Sequence, residues 1–204
     1  GGIGTKVNDA GYRVMSNVDM KDKVVLEVGP GDIRHIPYWR DKPSHYILAD
    51  IQEEMLTKAM DKLKKNGTSV QCMHMQREQK LPINDNSVDV AVSFFSLEHI
   101  YPLGPYLNEL KRILKPGGVL VGAVPAEGGL AWGVGRFITS RRWFKKNSNI
   151  DPDKIICWEH PNFGDQIISE LNQVFIPKNV HYWPFSWLPF LDCNLVVRFV
   201  YRLP

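Results

Sequence analysis

Two glycines and two acidic residues in the first quarter of the chain have the types and spacing of a nucleotide-binding site. Glu27-Val28-Gly29-Pro30-Gly31 directly follows a short β-branched run that is typical of a strand. Glycines at such a turn permit positive φ and let a ligand approach the backbone closely. Asp50 closes the next strand-like run about 20 residues further on, where a carboxylate can accept hydrogen bonds from ribose hydroxyls. These residues predict a cofactor site beyond the carboxyl ends of neighbouring parallel strands.

The glycine spacing separates two cofactor classes. A dinucleotide site needs G-x-G-x-x-G, whose third glycine lets helix and strand pack closely. Arg34 stands at that third position, so the nicotinamide pattern fails. S-adenosylmethionine (SAM) has no pyrophosphate and needs only E/D-x-G-x-G, with Glu27 placed to engage the ammonium end of the cofactor. The alternative is an incidental Gly-Pro-Gly turn in an unrelated α/β protein.

Other classes of site receive little support. Cys72, Cys157 and Cys193 are far apart and contain no C-x-x-C pair, so we expect neither a disulfide framework nor a bound metal ion. No apolar run approaches the roughly 20 residues of a membrane span, and we expect a cytoplasmic protein. A formal net charge of +3 does not favour nucleic acid as a partner.

The elements that must position these residues alternate along the chain. Predicted strands cover residues 23–28, 45–50, 69–75, 87–94, 119–124, 179–183 and 195–201. Predicted helices cover residues 52–65, 105–114 and 163–175. This alternation predicts an α/β fold, with a parallel sheet covered by helices on both faces and joined by right-handed crossovers. Because the sequence shows neither a linker nor a repeat, residues 1–204 are predicted to form one domain. The opening Gly1-Gly2 suggests a tag remnant in place of native residues.

Three further stretches carry a family resemblance. They are Leu81-Pro82-Ile83-Asn84-Asp85-Asn86-Ser87-Val88-Asp89-Val90-Ala91-Val92, Ser96-Leu97-Glu98-His99-Ile100 and Leu114-Lys115-Pro116-Gly117-Gly118. With the glycine turn and Asp50, they make residues 24–124 resemble the class I SAM-dependent methyltransferases of the type 11 group. The resemblance implies a Rossmann-like, doubly wound sheet of seven strands, mostly parallel with the last strand antiparallel. It also implies SAM as cofactor and S-adenosylhomocysteine as product.

The resemblance assigns roles to the residues of the turn and of the second strand. Glu27, Gly29 and Gly31 would line the methionine side of SAM. Asp50 would hold the ribose, and Ile51 would lie against the adenine.

Residues after the third and fourth strands are also candidates for the site. The family usually has an Asp after the third strand that contacts adenine, and here the position falls on Gln76 or Arg77. Phe94 and Phe95 would lie beside the methyl donor, at the carboxyl end of strand four. His99 is a candidate general base, although it also fits a common helix-start pattern with a structural role.

Residues 125–161 are too long for an ordinary connection, and we predict that they form a lid inserted after strand five. Arg136, Arg141, Arg142 and His160 are its candidate substrate-binding residues. Arginines interleaved with aromatic side chains could bind an anionic small molecule or a phosphorylated glycan precursor. The alternatives are a solvated amphipathic helix whose aromatic residues pack on the core, and peripheral contact with an anionic membrane surface.

The sequence therefore predicts an enzyme that methylates oxygen or nitrogen on a small molecule or a sugar. A SAM-binding module without turnover is the second hypothesis, and an RNA or DNA methyltransferase is the third. Only the basic segment supports the third hypothesis. The Asn-Pro-Pro-Tyr type motif of amino-methylating nucleic-acid enzymes is absent from the sequence, and Ser93-Phe94-Phe95-Ser96 stands in its place.

Overall fold

A seven-stranded sheet forms the centre of the protein, whose computed structural model describes residues 3–76, 80–138 and 160–204. The strands are β1 (Val24–Val28), β2 (His45–Asp50), β3 (Val70–His74), β4 (Val88–Phe94), β5 (Leu114–Pro125), β6 (Ile176–Trp183) and β7 (Val196–Arg202). Their order is β3-β2-β1-β4-β5-β7-β6. Strands β1 to β5 pair in parallel, and β7 is antiparallel to both β5 and β6. The predicted Rossmann-like sheet with an antiparallel last strand is confirmed.

Helices cover both faces of this sheet. They are α1 (Ile3–Tyr12), α2 (Glu53–Lys65), α3 (Leu103–Ile113), α4 (Leu130–Ile138) and α5 (Gly164–Val174). One hydrophobic cluster joins the buried leucines and isoleucines of α3 and α5 to the sheet. A second cluster joins α1 and α2 to the opposite face, with Tyr46 completely buried in it. Two buried layers on one sheet are what a doubly wound fold requires.

Helix α2 shows why the local prediction succeeds. Leu56, Ala59 and Leu63 recur at helical spacing and are buried. Acidic residues occupy its first turn and lysines its last turn, which complements the helix dipole. Gly67 follows the helix with φ of +73°, the conformation that a C-terminal glycine supplies.

Helix α1 was not predicted, because its sequence contains Gly4 and Gly11, which disfavour an isolated helix. Tertiary packing explains both its presence and the second glycine. A Cβ at Gly11 would lie 2.9 Å from Ala123 Cβ and 2.9 Å from the Phe95 ring. The missing side chain therefore lets the helix approach β5.

Two strands begin earlier than predicted. Leu114 already pairs with Val88, and residues 115–118 form an irregularity between two paired parts of β5. Strand β6 begins at Ile176, with a register shift next to Pro177. This strand lies at the sheet edge, where a proline is tolerated.

The predicted lid is only partly described. Helix α4 occupies its first part, and residues 139–159 lie outside the described residues. A lid function therefore stays a prediction. Within the described ranges, no helix has the length and apolar character needed to cross a membrane.

Candidate active site at the carboxyl edge of the sheet

The glycine turn after β1 has the backbone geometry that its residues predict. Gly29 and Gly31 have φ values of +66° and +51°, in the left-handed region that favours glycine. The Gly29 amide donates to the Ala49 carbonyl at 2.9 Å, which ties the turn to β2. A Cβ on Gly29 would lie 3.0 Å from Ser96 Cβ, whereas one on Gly31 would meet nothing within 4 Å. Gly31 therefore leaves open space beside the turn, where a ligand can approach the backbone.

Glu27 lies behind this turn and is only 1% exposed. Tyr46 Oη donates to Glu27 Oε2 at 2.7 Å, and His35 Nε2 donates to Oε1 at 2.9 Å. Trp39 Nε1 donates to His35 Nδ1 at 2.9 Å. Because the indole nitrogen can only donate, Nδ1 must accept and the proton of the neutral imidazole is on Nε2. The pKa of Tyr46 is raised well above its ordinary value, mainly by burial and to a smaller extent by the Glu27 charge. The Tyr46 hydroxyl therefore stays a hydrogen-bond donor.

This hydrogen-bond network was not predicted from the sequence. His35 and Trp39 are four residues apart, but their connection to Glu27 depends on the fold of residues 29–38. Asp32 and Arg34, neighbours of His35, are exposed, and Asp32 pairs with Lys62 of α2 at 2.6 Å. Direct contact between Glu27 and a ligand stays a prediction, since each carboxylate oxygen can accept a second hydrogen bond.

Aromatic rings surround the end of β4. Tyr12 contacts Phe94 edge-on with ring centroids 5.0 Å apart, and it contacts Phe95 at 5.9 Å. The His35 ring stacks on Phe94 with ring centroids 5.0 Å apart. Phe95 has φ of +53°, an uncommon conformation for a bulky residue that is often found at functional sites. Burial, followed by the charge of Glu27, raises the pKa of Tyr12 to about 12.

The residues predicted to hold the nucleoside lie at the next strand ends. Asp50 Oδ1 accepts the Gln52 amide at 2.8 Å, which orients the carboxylate at the tip of β2. Ile51 is 47% exposed although it is a large apolar residue. His74 Nε2 donates to the Ile51 carbonyl at 3.0 Å and braces this corner. Gln76 is exposed beyond β3, so the predicted nucleoside-binding residues follow adjacent strands.

A second polar cluster lies beyond the ends of β4 and β5. Glu98 and Glu127 are each only 3% exposed. His160 Nδ1 donates to Glu127 Oε2, and the His160 ring lies 4.5 Å from the exposed ring of His99, edge to face. Burial raises the pKa of Glu98 to about 7, with the Glu127 charge adding to the shift and His160 opposing it.

Asn162 holds this cluster together. Its Nδ2 donates to the Leu97 carbonyl at 2.9 Å and to the Ile100 carbonyl at 2.5 Å. The nearby Gly164 amide donates to the Glu127 carbonyl at 3.1 Å. Residues 160–164 therefore join the loop after β4 to the loop after β5.

The structure brings His99 and His160 together, and it leaves the predicted arginines untested. Arg141 and Arg142, like Arg77, lie outside the described residues. Arg136 lies in α4, but its side chain is outside the described part of the protein. Among the residues that the structure describes, no three His, Cys, Asp or Glu side chains are grouped so as to hold a metal ion.

Comparison with known proteins agrees with this geometry. A family model described as a methyltransferase domain matches residues 26–122. A malonyl-[acyl-carrier protein] O-methyltransferase of Hamiltonella defensa is 28% identical over 123 residues, 60% of this chain and 46% of that protein. The ubiquinone/menaquinone biosynthesis C-methyltransferase UbiE of Idiomarina loihiensis is 36% identical over 73 residues, 35% of this chain and 29% of that protein.

The fold has relatives among solved structures. A SAM-dependent methyltransferase from Aquifex aeolicus superposes with a TM-score of 0.62 at 18% identity, covering 98% of both chains. The family match and the fold support a class I SAM-dependent methyltransferase. It spans less than half the length of the two curated relatives described above.

SAM is the cofactor that this family and fold imply, and the described residues fit it. Open space at Gly31 admits a ligand beside the turn. Asp50 presents a carboxylate of the kind that binds ribose hydroxyls. The exposed side chain of Ile51 offers an apolar surface that an adenine ring would cover. Gly29, Gly31, Asp50 and Ile51 are therefore the residues that would hold the cofactor.

Proposed function

We propose that this protein transfers a methyl group from SAM to an oxygen or nitrogen atom of a small molecule or sugar, including a phosphorylated glycan precursor. The observation that carries the proposal is the pair of His160 and buried Glu127 beyond the ends of β4 and β5. The acceptor in this proposal binds beside this pair, at the ends of β4 and β5, which are neighbours in the sheet. The relatives named above methylate oxygen in one case and carbon in the other.

The pair supports an acceptor that must lose a proton. Because His160 Nδ1 donates to Glu127, the lone pair of the neutral imidazole is on Nε2. Nε2 is therefore the basic nitrogen, and the Glu127 carboxylate stabilises the imidazolium that forms when it takes a proton. This is the arrangement in which an acidic residue orients a histidine base. Catalysis by His99 itself stays a prediction, with its ring packed against His160.

Bound SAM supplies an electrophilic methyl group on a positively charged sulfur. The remaining work belongs to the protein, which must align the acceptor, exclude water and accept a proton. Tyr12, Phe94 and Phe95 form an aromatic wall at the end of β4 that limits access of water. His160 then holds the acceptor's proton at Nε2.

The experiment is a two-stage assay on the full chain. Calorimetry first measures binding of SAM and S-adenosylhomocysteine, and a panel of hydroxyl and amine acceptors is then screened with methyl-labelled SAM. We expect binding and turnover, with His160→Gln lowering kcat by about 100-fold without weakening SAM binding. His45→Gln, at the opposite end of the sheet, is the matched control and should leave kcat unchanged.

The other hypotheses give different results. Binding without turnover of any acceptor would support a SAM-binding module in place of an enzyme. Methylation of oligonucleotides, with affinity that falls steeply as salt rises, would support a nucleic-acid methyltransferase. Failure to bind either SAM or its product would refute all three.

A further inference from the structure

A cationic cleft lies on the α1 side of the sheet, apart from the residues that would hold SAM. Its volume is about 540 Å³. It is lined by Arg13, Ser16, Asn17, Tyr38, His181 and Arg198. Two of these side chains are arginines, a third is a histidine, and none is acidic.

The fold brings these residues together from distant parts of the chain. Arg13 begins the 3-10 turn that follows α1. His181 and Arg198 are directly paired across β6 and β7. Tyr38 ends the short 3-10 helix beyond the glycine turn. The cleft is therefore defined by rigid elements, which suits a binding site better than a mobile surface does.

Arg198 is held in place while part of its guanidinium has no partner. Its Nη1 donates to the Ala10 carbonyl at 2.9 Å. Its Nε is buried, and no described residue accepts a hydrogen bond from it. The pKa of Arg198 is lowered mainly by burial and to a smaller extent by the positive charge of Arg13.

Neither arginine has a counter-ion within residues 3–76, 80–138 and 160–204. A partly buried cation beside a like charge is unfavourable unless an anion or further hydrogen bonds compensate it. Planar guanidinium groups bind carboxylate and phosphate oxygens with two parallel hydrogen bonds.

We propose that the cleft between Arg13 and Arg198 binds the phosphate or carboxylate group of an anionic small molecule. The guanidinium group of Arg198, which Ala10 orients, supplies hydrogen-bond donors, and the exposed Arg13 adds a second positive charge. The phenol of Tyr38 adds a polar group at the rim. The site is separate from the cofactor site and does not depend on methyl transfer.

The test is calorimetry with inorganic phosphate and, separately, with acetate. Sodium chloride keeps the ionic strength constant, and each titration is repeated with saturating S-adenosylhomocysteine. We expect saturable phosphate binding that Arg13→Gln and Arg198→Met each weaken about tenfold. Arg202→Met changes an exposed arginine on the same strand, outside the cleft, and should leave the affinity unchanged.

Because Arg13 is exposed, Arg13→Gln should fold normally, and it keeps the test valid if Arg198→Met does not fold. Tighter binding of phosphate than of acetate would identify a phosphoryl ligand, and the reverse order would identify a carboxylate. Absence of binding, or equal binding by the wild type and Arg13→Gln, would overturn the proposal. Displacement of phosphate by S-adenosylhomocysteine would also overturn it, since the anion would then occupy the cofactor site.

Discussion

Substitution of Glu98 by Gln tests the raised pKa of a buried carboxyl group in the polar cluster beyond the ends of β4 and β5. The Glu98 side chain is 3% exposed, and no described residue donates a hydrogen bond to its Oε2. Burial raises its pKa from an ordinary 4.5 to about 7. The folded protein therefore keeps a proton on Glu98 over a pH range in which the unfolded chain loses it.

The size and sign of the effect follow from that difference. One pKa unit corresponds to 1.36 kcal/mol, so the raised pKa corresponds to about 3 kcal/mol of unfolding free energy. A group whose pKa is raised by folding contributes stability that is fully present below pH 4.5 and is lost as the pH rises through 7. The wild type should therefore lose about 3 kcal/mol across this window relative to Glu98→Gln, whose amide does not titrate.

Urea unfolding at pH 5 and pH 8 measures this difference directly. Part of the effect has already occurred by pH 5, so we expect the stability of Glu98→Gln relative to the wild type to increase by about 2 kcal/mol between the two pH values. Glu54→Gln, which changes an exposed glutamate paired with Lys58, should show little change in relative stability. If Glu98→Gln and the wild type lose stability in parallel, the carboxyl group is ionised normally and the reasoning from burial is refuted.

Three further predictions concern the cofactor side of the site. Gly29→Ala should lower the unfolding free energy by about 2 kcal/mol and weaken SAM binding in calorimetry. Gly31→Ala, with open space at its Cβ, should lower the unfolding free energy by only about 1 kcal/mol, and equal losses for the two variants would contradict the steric argument. Trp39→Phe removes the donor to His35 Nδ1 and should lower urea stability by about 1 kcal/mol, with nitrogen NMR showing a second imidazole tautomer; a single unchanged tautomer would show that the indole does not set it. Asp50→Ala should weaken SAM binding at least about tenfold with little change in thermal stability, and unchanged affinity would remove Asp50 from the cofactor site.

Much of the sheet and of the glycine turn could be predicted because their signals are local. Apolar runs, turn residues and helix ends act over a few neighbouring residues, and α2 was predicted to within one residue at its start. The departures occur where tertiary contacts override local preference. Helix α1 forms against β5 despite Gly11, and β5 extends back to Leu114 because Leu114 pairs with Val88.

The sequence by itself indicated the family resemblance, the cofactor that it implies and the strand ends that carry Gly29 and Asp50, since these depend on spacing along the chain. Only the tertiary structure decided which side chains meet there. Glu27 and Tyr46 are 19 residues apart, and Glu127 and His160 are 33 residues apart. Their hydrogen bonds form because strand order and crossover loops bring distant segments to one edge of the sheet. Burial at that edge then raises the pKa values of Tyr46 and Glu98.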